Sequence, residues 1–498
     1  MKNTGATIAL TLITLAILAG LLPVAWLGVD EGEKALDAYT LRVIAFTLWQ
    51  ALLSTAISAV LGVAAAFALA RRQLWGRAML VRLLALPMAL PAIVVVLGIL
   101  GIFGAEGPLA NFIPLYGLTG ILLAHVFFNA PLVARFMLSA LTTIPPEQLR
   151  LAAQLGFSGS AHLRYVDWPI LRQALPGALL LVFLLCAASF TIVLTLGGGP
   201  QATTLEVAIY QALRSDFDPA RATLLALVQI ALCGFLGFGV LHFSVQTQTQ
   251  DALRLTLRRY DGQSTIAKLL DILSILLLVA LLLPPLAALV TSGIASLSLQ
   301  TAFFTALMTS LALASATAVI ACTLAWVMAT GPTRVSTLTS QAGLILPPAV
   351  IATGWFILAS KGPRLSALAI PLIIALNSLM ALPFAYNALA PALRSKMQSH
   401  DRLCASLGIS GWNRLRHIDL PSAKAPLSLG LAMAALVSLG DLSAILFFGS
   451  GQYVTLPALI YQQMGSYRME NAMGTALILA LLSFAILWAA ESWSKHHA

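Results

Sequence analysis

The sequence predicts an all-α membrane protein with about twelve transmembrane helices, arranged as two tandem modules of six spans each. Of its 498 residues, 59% are hydrophobic and only 9% are charged, which is more apolar surface than soluble domains of ordinary size can bury. Its apolar stretches repeatedly reach the roughly 20 residues that a helix needs to cross about 30 Å of hydrocarbon. The alternation that is typical of barrel strands is missing, so a helical bundle is expected.

Six apolar stretches precede the most polar break in the chain, and six follow it. The first six lie near residues 7–29, 42–70, 79–104, 116–141, 173–196 and 222–246. The second six lie near residues 269–292, 301–330, 338–360, 366–392, 426–449 and 472–491. The break predicts a first module at 1–250, a cytoplasmic connecting segment at 251–268 and a second module at 269–498.

Basic residues predict the orientation in the membrane. They cluster in the second and sixth connectors, at Arg71, Arg72, Arg77, Arg82, Arg254, Arg258, Arg259 and Lys268. These connectors should face the cytoplasm of a bacterial inner membrane, which places both termini there as well. The net charge of +10 is confined to such short connectors, so membrane topology explains it better than nucleic-acid binding does.

An internal repeat relates the two modules. The segment RLAAQLGFSGSAHLRYVDWP at 150–169 and the segment RLCASLGISGWNRLRHIDLP at 402–421 share eleven of twenty residues, against roughly one expected by chance. The same offset pairs Pro131 with Pro383. Because each module has an even number of spans, the two copies enter the membrane in the same direction, which makes this a parallel repeat.

The repeated segments are too polar to cross the membrane and are expected to form helix-turn-helix hairpins in the cytoplasm. Leu151 and Leu155 share one helical face, and Glu147 and Arg150 share the other, which predicts a short amphipathic helix. Gly156 should stop this helix. A second helix through residues 162–166 should end at Pro169, since proline cannot continue the hydrogen-bond ladder.

These hairpins resemble the cytoplasmic coupling motif of binding-protein-dependent ABC importer permeases, with its pattern EAA, three residues, Gly and a closing hydrophobic-x-Pro. Ala152 and Gly156 match motif positions in the first copy, and Gly408 matches in the second. The glutamate position holds Arg150 and Arg402 instead, so Glu147, one turn earlier, is the candidate substitute.

Longer stretches, YGLTGILLAHVFFNAPLVARF, LTLGGGPQATTLEVAIYQAL and GDLSAILFFG among them, resemble the fused thiamine and thiamine diphosphate permeases of the type I (MetI-like) ABC importers over nearly the whole chain. The resemblance implies import of thiamine and its phosphates. It also implies two separate ATPase subunits, which use the ATP and dock on the hairpins. On the periplasmic side of the membrane it implies a thiamine-binding protein. The coupling residues it implies are Glu147, Arg150, Ala152, Leu155, Gly156, Asp167, Pro169, Arg402, Leu407, Gly408, Asp419 and Pro421.

The chain itself lacks the motifs of an enzyme. It contains no G-x-x-x-x-G-K-[ST], no H-E-x-x-H, no cysteine cluster and no G-x-S-x-G. We therefore expect no catalysis, no cofactor and no metal in this chain.

Two further sets of residues are candidate functional positions. Gly197, Gly198 and Gly199, with Gly449 and Gly451 in the second module, form outer turns that either dock the binding protein or are plain tight turns. A half-buried segment at 204–213 follows the first of these turns and is too short to cross, so it should be re-entrant or interfacial.

Polar residues inside spans form the other set. His125 and Asn129 share one helical face, and Asp441 stands in an otherwise apolar span. Polar groups in lipid are costly, so these residues either line a pathway or pack between helices.

Three alternatives remain at the level of sequence. The same architecture imports ferric iron or polyamines in related permeases. An ion-coupled secondary transporter would need inverted repeats and several ionisable residues at the midplane, which this sequence does not show. A structural scaffold would not require two matched cytoplasmic hairpins.

Overall fold

A computed structural model describes residues 2–495 apart from 31–36, 111, 158, 244–258, 260, 298–299, 332, 361–364, 450 and 452. Half of the connecting segment, including Arg254 and Arg258, thus lies outside the described residues. The described residues are helical almost throughout, and no strand occurs among them, which confirms the all-α prediction.

The described residues of the first module form twelve helices. They are α1 (Lys2–Asp30), α2 (Ala38–Arg71), α3 (Arg77–Leu83), α4 (Leu86–Ala89), α5 (Ala92–Phe103), α6 (Leu118–Thr142), α7 (Pro146–Gln154), α8 (Gly159–His162), α9 (Trp168–Ala187), α10 (Thr191–Leu196), α11 (Leu205–Arg214) and α12 (Pro219–His242). A π-helical turn, Leu163–Asp167, joins α8 to α9, and a 3-10 turn, Pro200–Ala202, precedes α11.

In the second module, the part of the chain that the structure describes repeats this order with eleven helices. They are α13 (Thr265–Ala295), α14 (Thr301–Ala329), α15 (Thr333–Ile345), α16 (Pro348–Ser360), α17 (Leu365–Ser406), α18 (Gly411–Arg414), α19 (Leu420–Ser422), α20 (Lys424–Gly440), α21 (Ser443–Phe448), α22 (Leu456–Gly465) and α23 (Met469–Lys495). A second π-helical turn, Leu415–Asp419, joins α18 to α19.

Nine unbroken helices of the described chain are long and apolar enough to cross a membrane, and the number reaches twelve, consistent with the prediction, if each of three bent helix pairs counts as one span. Two of the bent pairs stand at equivalent places: the break before α5 bends the chain by 110° and the break before α16 by 89°. Both follow a Leu-Pro step, Leu90-Pro91 and Leu346-Pro347. Proline has no N–H to donate and disfavours helical geometry in the residue before it, so the helix breaks there.

The first span of each module packs against the other module. Helix α1 contacts α16 of the second module as well as α12 of its own, and α13 contacts α5 of the first module as well as α23 of its own. The contacts of one module thus recur in the other, in agreement with the parallel repeat. One continuous core of buried side chains includes residues of both modules.

Glycines allow these exchanged spans to approach the other module closely. A Cβ on Gly354 of α16 would overlap the carbonyl oxygen of Gly20 in α1, and a Cβ on Gly98 of α5 would overlap that of Pro285 in α13. Small residues at such crossings are the usual means by which membrane helices come into backbone contact.

One asymmetry separates the modules. In the first, α6 ends at Thr142 and α7 begins at Pro146, whereas in the second, the equivalent region lies within the single 42-residue helix α17. The first module has Pro145 and Pro146 at this point, and the second has Met397 and Gln398 at the same offset. The proline pair accounts for the break.

Candidate functional site

Two matched hairpins form the predicted coupling elements, and we define hairpin 1 as residues 147–169 and hairpin 2 as residues 399–421. Each turns at a glycine with positive φ, 68° at Gly156 and 63° at Gly408, as the stop signal predicts. A Cβ on either glycine would meet no atom of the chain within 4 Å. Both turns therefore have free space around the glycine Cα, although a side chain there would strain the backbone because φ is positive.

The apolar face of α7 that holds Leu151 and Leu155 is not the face that the chain buries. Leu149 and Ala152 are buried, whereas Leu151 and Leu155 are 54% and 62% exposed. The prediction grouped Leu151 and Leu155 correctly on one face, but the chain buries the face next to it. In hairpin 2, Leu407 and Trp412 are likewise exposed, at 63% and 69%. Each hairpin thus presents large apolar side chains with no cover from this chain, which is typical of an interaction surface.

The predicted helix end at Pro169 is wrong. The backbone runs without a break from the π-helical turn Leu163–Asp167 into α9, with Pro169 in its first turn. A proline is tolerated there because the first N–H groups of a helix need no partner within it. Hairpin 2 has the same π-helical turn before Pro421, although its helix breaks at Ala423.

The aspartates that end the two π-helical turns are paired differently. Asp167 is fully buried, and both of its carboxylate oxygens accept hydrogen bonds of 2.8 Å from Nη2 of Arg259, in the connecting segment. Asp419 is partly exposed and lies 3.4 Å from Nε of Arg414, within hairpin 2 itself. The Nη1 atom of Arg414 also contacts Oδ1 of Asp401 at 2.6 Å.

Arg259 lies at the centre of a buried charge network. Its Nε donates to Oδ1 of Asp261 at 2.8 Å, and Asp261 also accepts from Nε of Arg71, at the end of α2, at 2.7 Å. Burial raises the pKa of the Asp261 carboxyl, but the hydrogen bonds and charges of Arg259 and Arg71 outweigh burial and hold this pKa at about 2. His162, Asp167 and Asp261 are close enough to share a metal ion, yet the Arg259 guanidinium already supplies the positive charge between them.

The remaining predicted coupling residues are spread over the hairpin surfaces. Glu147 and Arg150 are exposed on α7, Pro169 is half-buried and Pro421 is exposed. The side chain of Arg402 lies outside the described residues. The coupling roles of all these residues stay predictions.

A cavity of about 680 Å³ lies between the modules, next to both Leu-Pro breaks. Pro91 and Pro347 line it, together with the apolar side chains of Met380, Phe384 and Met433. Of the described residues that line it, Asp441 alone carries a charge. The volume lies within the range of small-molecule sites in proteins.

Local donors hold the carboxylate of Asp441 in place. Oδ1 accepts from the backbone N–H and the hydroxyl of Ser443, and Oδ2 accepts from the N–H of Ala444 at 2.9 Å. Asp441 therefore caps the short helix α21 while it faces the cavity. The residue at the same place in the first module is Ser189, which donates its N–H to the carbonyl of Cys186 as Asp441 does to that of Ser438.

His125 and Asn129 lie inside the first module and do not line this cavity. Nδ1 of His125 lies 3.2 Å from the Ser54 hydroxyl, and Nδ2 of Asn129 donates to the sulfur of Cys186. The second module has a similar contact at the equivalent place, since Asn377 donates to Ser438 at 3.1 Å. The geometry thus favours packing between helices for this pair, while its pathway role stays untested.

The outer glycine turns occupy the opposite end of the spans from the hairpins. Gly197, Gly198 and Gly199 border a second cavity of about 680 Å³, which Arg42 and Tyr116 also line. The carbonyl of Gly449 accepts a 3.0 Å hydrogen bond from Arg214 of the first module, and Gly451 is exposed with φ of 80°. The short segment after the first turn forms α11, as predicted, and most of it is buried.

The sequence reasoning missed two exposed aromatic residues on this outer surface. Phe217 follows α11 and Tyr467 follows α22; they are 80% and 95% exposed and have positive φ of 54° and 58°. Such backbone geometry is rare for aromatic residues and tends to occur at functional sites. Their nearly equal offset in the repeat was the signal that could have identified them.

Comparison with known proteins places this geometry in a family. Residues 320–493 match the family described as binding-protein-dependent transport system inner membrane component. The thiamine transport system permease protein ThiP of Brucella abortus (strain 2308) is 42% identical over 481 residues, which cover 91% of this chain and 88% of that protein. The ThiP proteins of Salmonella typhimurium (strain LT2) and Escherichia coli (strain K12) are each 40% identical, over 99% and 97% of this chain and 97% and 95% of their own lengths. The chain therefore belongs to the ThiP family of binding-protein-dependent transport permeases, multi-pass proteins of the inner membrane that are not enzymes.

Proposed function

We propose that this chain forms the translocation pathway of an ATP-driven importer for thiamine and its phosphates. Relatives that match it over nearly their whole length are named thiamine transport permeases. The observation that carries the proposal is the cavity between the modules, because both modules line it and Asp441 supplies its one charged side chain among the described residues.

The chemistry of the cavity suits thiamine. The thiazolium ring of thiamine carries a permanent positive charge, which a carboxylate attracts most strongly where little water screens it. The sulfur and ring atoms of Met380, Met433 and Phe384 offer soft apolar contacts for the two heterocycles. Asp441 would thus attract the cationic ring, while the apolar lining keeps the cargo from binding too tightly to leave.

Two separate ATPase subunits would drive the cycle from the hairpins. Each hairpin would enter a cleft on one ATPase with its exposed apolar side chains, which are Leu151 and Leu155 in hairpin 1 and Leu407 and Trp412 in hairpin 2. Closure of the ATPase pair would then move both hairpins and tilt the modules. Replacing Gly156 or Gly408 by a bulky residue should uncouple uptake while the chain remains inserted, since its Cβ meets no atom within 4 Å and the backbone strain is confined to the turn of one hairpin. Normal uptake by such variants would contradict the coupling role.

A periplasmic binding protein would deliver the cargo to the outer surface. The glycine turns at Gly197–Gly199 and at Gly449 and Gly451 would face it, and Phe217 and Tyr467 extend from equivalent places in the two modules.

Uptake of labelled thiamine by cells with and without this chain tests the proposal, with labelled ferric iron as the control cargo. We expect loss of thiamine uptake alone when the chain is deleted, and competition by unlabelled thiamine diphosphate when it is present. Loss of iron uptake alone would overturn the substrate. Thiamine uptake without an ATPase that co-purifies with the chain would overturn the ATP-driven mechanism.

A further inference from the structure

The two hairpins carry the same aspartate but obtain its cationic partner from different places. The repeat offset of 252 residues relates Asp167 to Asp419 and His162 to Arg414. In hairpin 2, Arg414 lies one turn before the aspartate and pairs with it. In hairpin 1, the equivalent position holds His162, and the guanidinium beside Asp167 belongs to Arg259, 92 residues further along the chain.

The geometry at Arg259 is that of a built site. Its side chain is 3% exposed, and those of Asp167 and Asp261 are fully buried. The guanidinium bonds both carboxylates and lies 3.4 Å from Nδ1 of His162, which itself contacts Asp167 at 3.1 Å. A buried charge is stable only when it is paired and hydrogen-bonded; without Arg259, Asp167 would be left with the imidazole of His162 beside it, whereas Asp261 would keep the guanidinium of Arg71.

The network continues from hairpin 1 into two transmembrane helices. Asp261 bonds Arg71 at the end of α2, and Arg72 bonds Asp271 in the second turn of α13. The corner where these charged side chains meet also contains Gly262, which has a φ of 73°. A Cβ on Gly262 would lie 3.0 Å from the Arg71 side chain. Because α13 belongs to the second module and packs on α5 of the first, movement of hairpin 1 would reach the module interface through this corner.

We infer that Arg259 is a positioning residue for coupling, which supplies hairpin 1 from outside with the guanidinium that hairpin 2 carries itself. Arg259 therefore fixes the orientation of the first hairpin relative to α2 and α13. The inference rests on the proposed coupling function, since only a hairpin that transmits force requires such a fixed attachment.

The repeat suggests the test. Arg259→Ala should weaken uptake by the assembled importer, and the double variant His162→Arg/Arg259→Ala should restore it, because it gives hairpin 1 the internal arginine of hairpin 2. Lys268→Ala is the matched control, since Lys268 lies in the same segment with an exposed side chain. We expect Arg259→Ala to lower the number of thiamine molecules transported per ATP hydrolysed, because it leaves the buried carboxylate of Asp167 without its guanidinium and so releases hairpin 1 from its fixed orientation.

A second measurement separates positioning from coupling. Hydrogen exchange on the purified chain without the ATPase should be faster in hairpin 1 of Arg259→Ala by about tenfold or more, unchanged in hairpin 2, and slow again in the double variant. Faster exchange with unchanged transport per ATP would overturn the coupling role of Arg259 while leaving the proposed function intact. Unchanged exchange, or a double variant that restores neither exchange nor transport, would overturn the inference itself.

Discussion

Relocating the carboxylate of Asp441 tests whether the cavity requires a negative charge or only a helix cap. The variant Asp441→Ser keeps a residue that can cap α21, because serine is nearly as good an N-cap as aspartate. It removes only the charge. Adding Ser189→Asp returns a carboxylate to the cavity from the equivalent place in the first module, where the neighbouring Ala188 lines the cavity as Gly440 does in the second.

The expected loss follows from the size of the cavity. A sphere of about 680 Å³ has a radius of about 5 Å, so a cation at its centre lies about 5 Å from the wall that holds Asp441. Unit charges at that distance attract by about 3 kcal/mol at an effective dielectric constant of about 20, and by about a quarter of this value where bulk-like water fills the cavity. A loss of about 2 kcal/mol corresponds to a ~30-fold fall in the transport efficiency for thiamine.

The assay is uptake of labelled thiamine into proteoliposomes that contain the complete importer. Asp441→Ser should lower uptake by ~30-fold, and the double variant should restore most of it. ATPase activity, measured on the same samples, controls for assembly. Full uptake by Asp441→Ser would refute the electrostatic argument, and a double variant as inactive as the single one would show that the position of Asp441, rather than its charge in the cavity, is what matters.

Three further perturbations test other parts of the structure. Gly354→Ala should destabilise the chain by about 1–3 kcal/mol in thermal unfolding, because its Cβ would force α1 away from α16, whereas Gly234→Ala meets no atom and should leave stability almost unchanged. Leu155→Asp should abolish co-purification of the ATPase without preventing membrane insertion, since Leu155 is exposed on hairpin 1; retained co-purification would exclude this surface. Phe217→Gly should stabilise the chain slightly by relieving positive φ, yet weaken binding of the periplasmic protein, measured by titration; unchanged affinity would remove Phe217 from the docking surface.

Local sequence signals predicted much of the hairpins. The repeat, the positive-φ glycines Gly156 and Gly408, and the short helix before them follow from residues close in sequence, and the structure has them. The break between α6 and α7 was also readable, because Pro145 and Pro146 stand there and the second module lacks them. The sequence could not show which face of α7 is buried, because Leu149 and Leu151 are equally apolar and only the neighbouring helices determine which of them is covered.

Partners distant in the chain were beyond the reach of sequence patterns. Nothing near Arg259 indicates that it bonds Asp167, and the exchange of α1 and α13 between the modules leaves no mark on their apolar composition. The repeat does contain one indication. Hairpin 2 has Arg414 five residues before its aspartate, whereas hairpin 1 has His162 at the equivalent position, so the cation that pairs with Asp167 is expected to come from another part of the chain.

The sequence by itself determined the membrane class, the number of spans, the parallel repeat and the two hairpins, because hydrophobic length, proline, glycine and duplication act locally along the chain. The tertiary structure alone decided which polar residues meet. It brought Asp441 to the cavity between the modules, left His125 and Asn129 between helices, and joined the connecting segment to hairpin 1. The physical reason is that spans in lipid have similar apolar surfaces, so their neighbours are chosen by close packing and buried hydrogen bonds, which depend on three-dimensional fit.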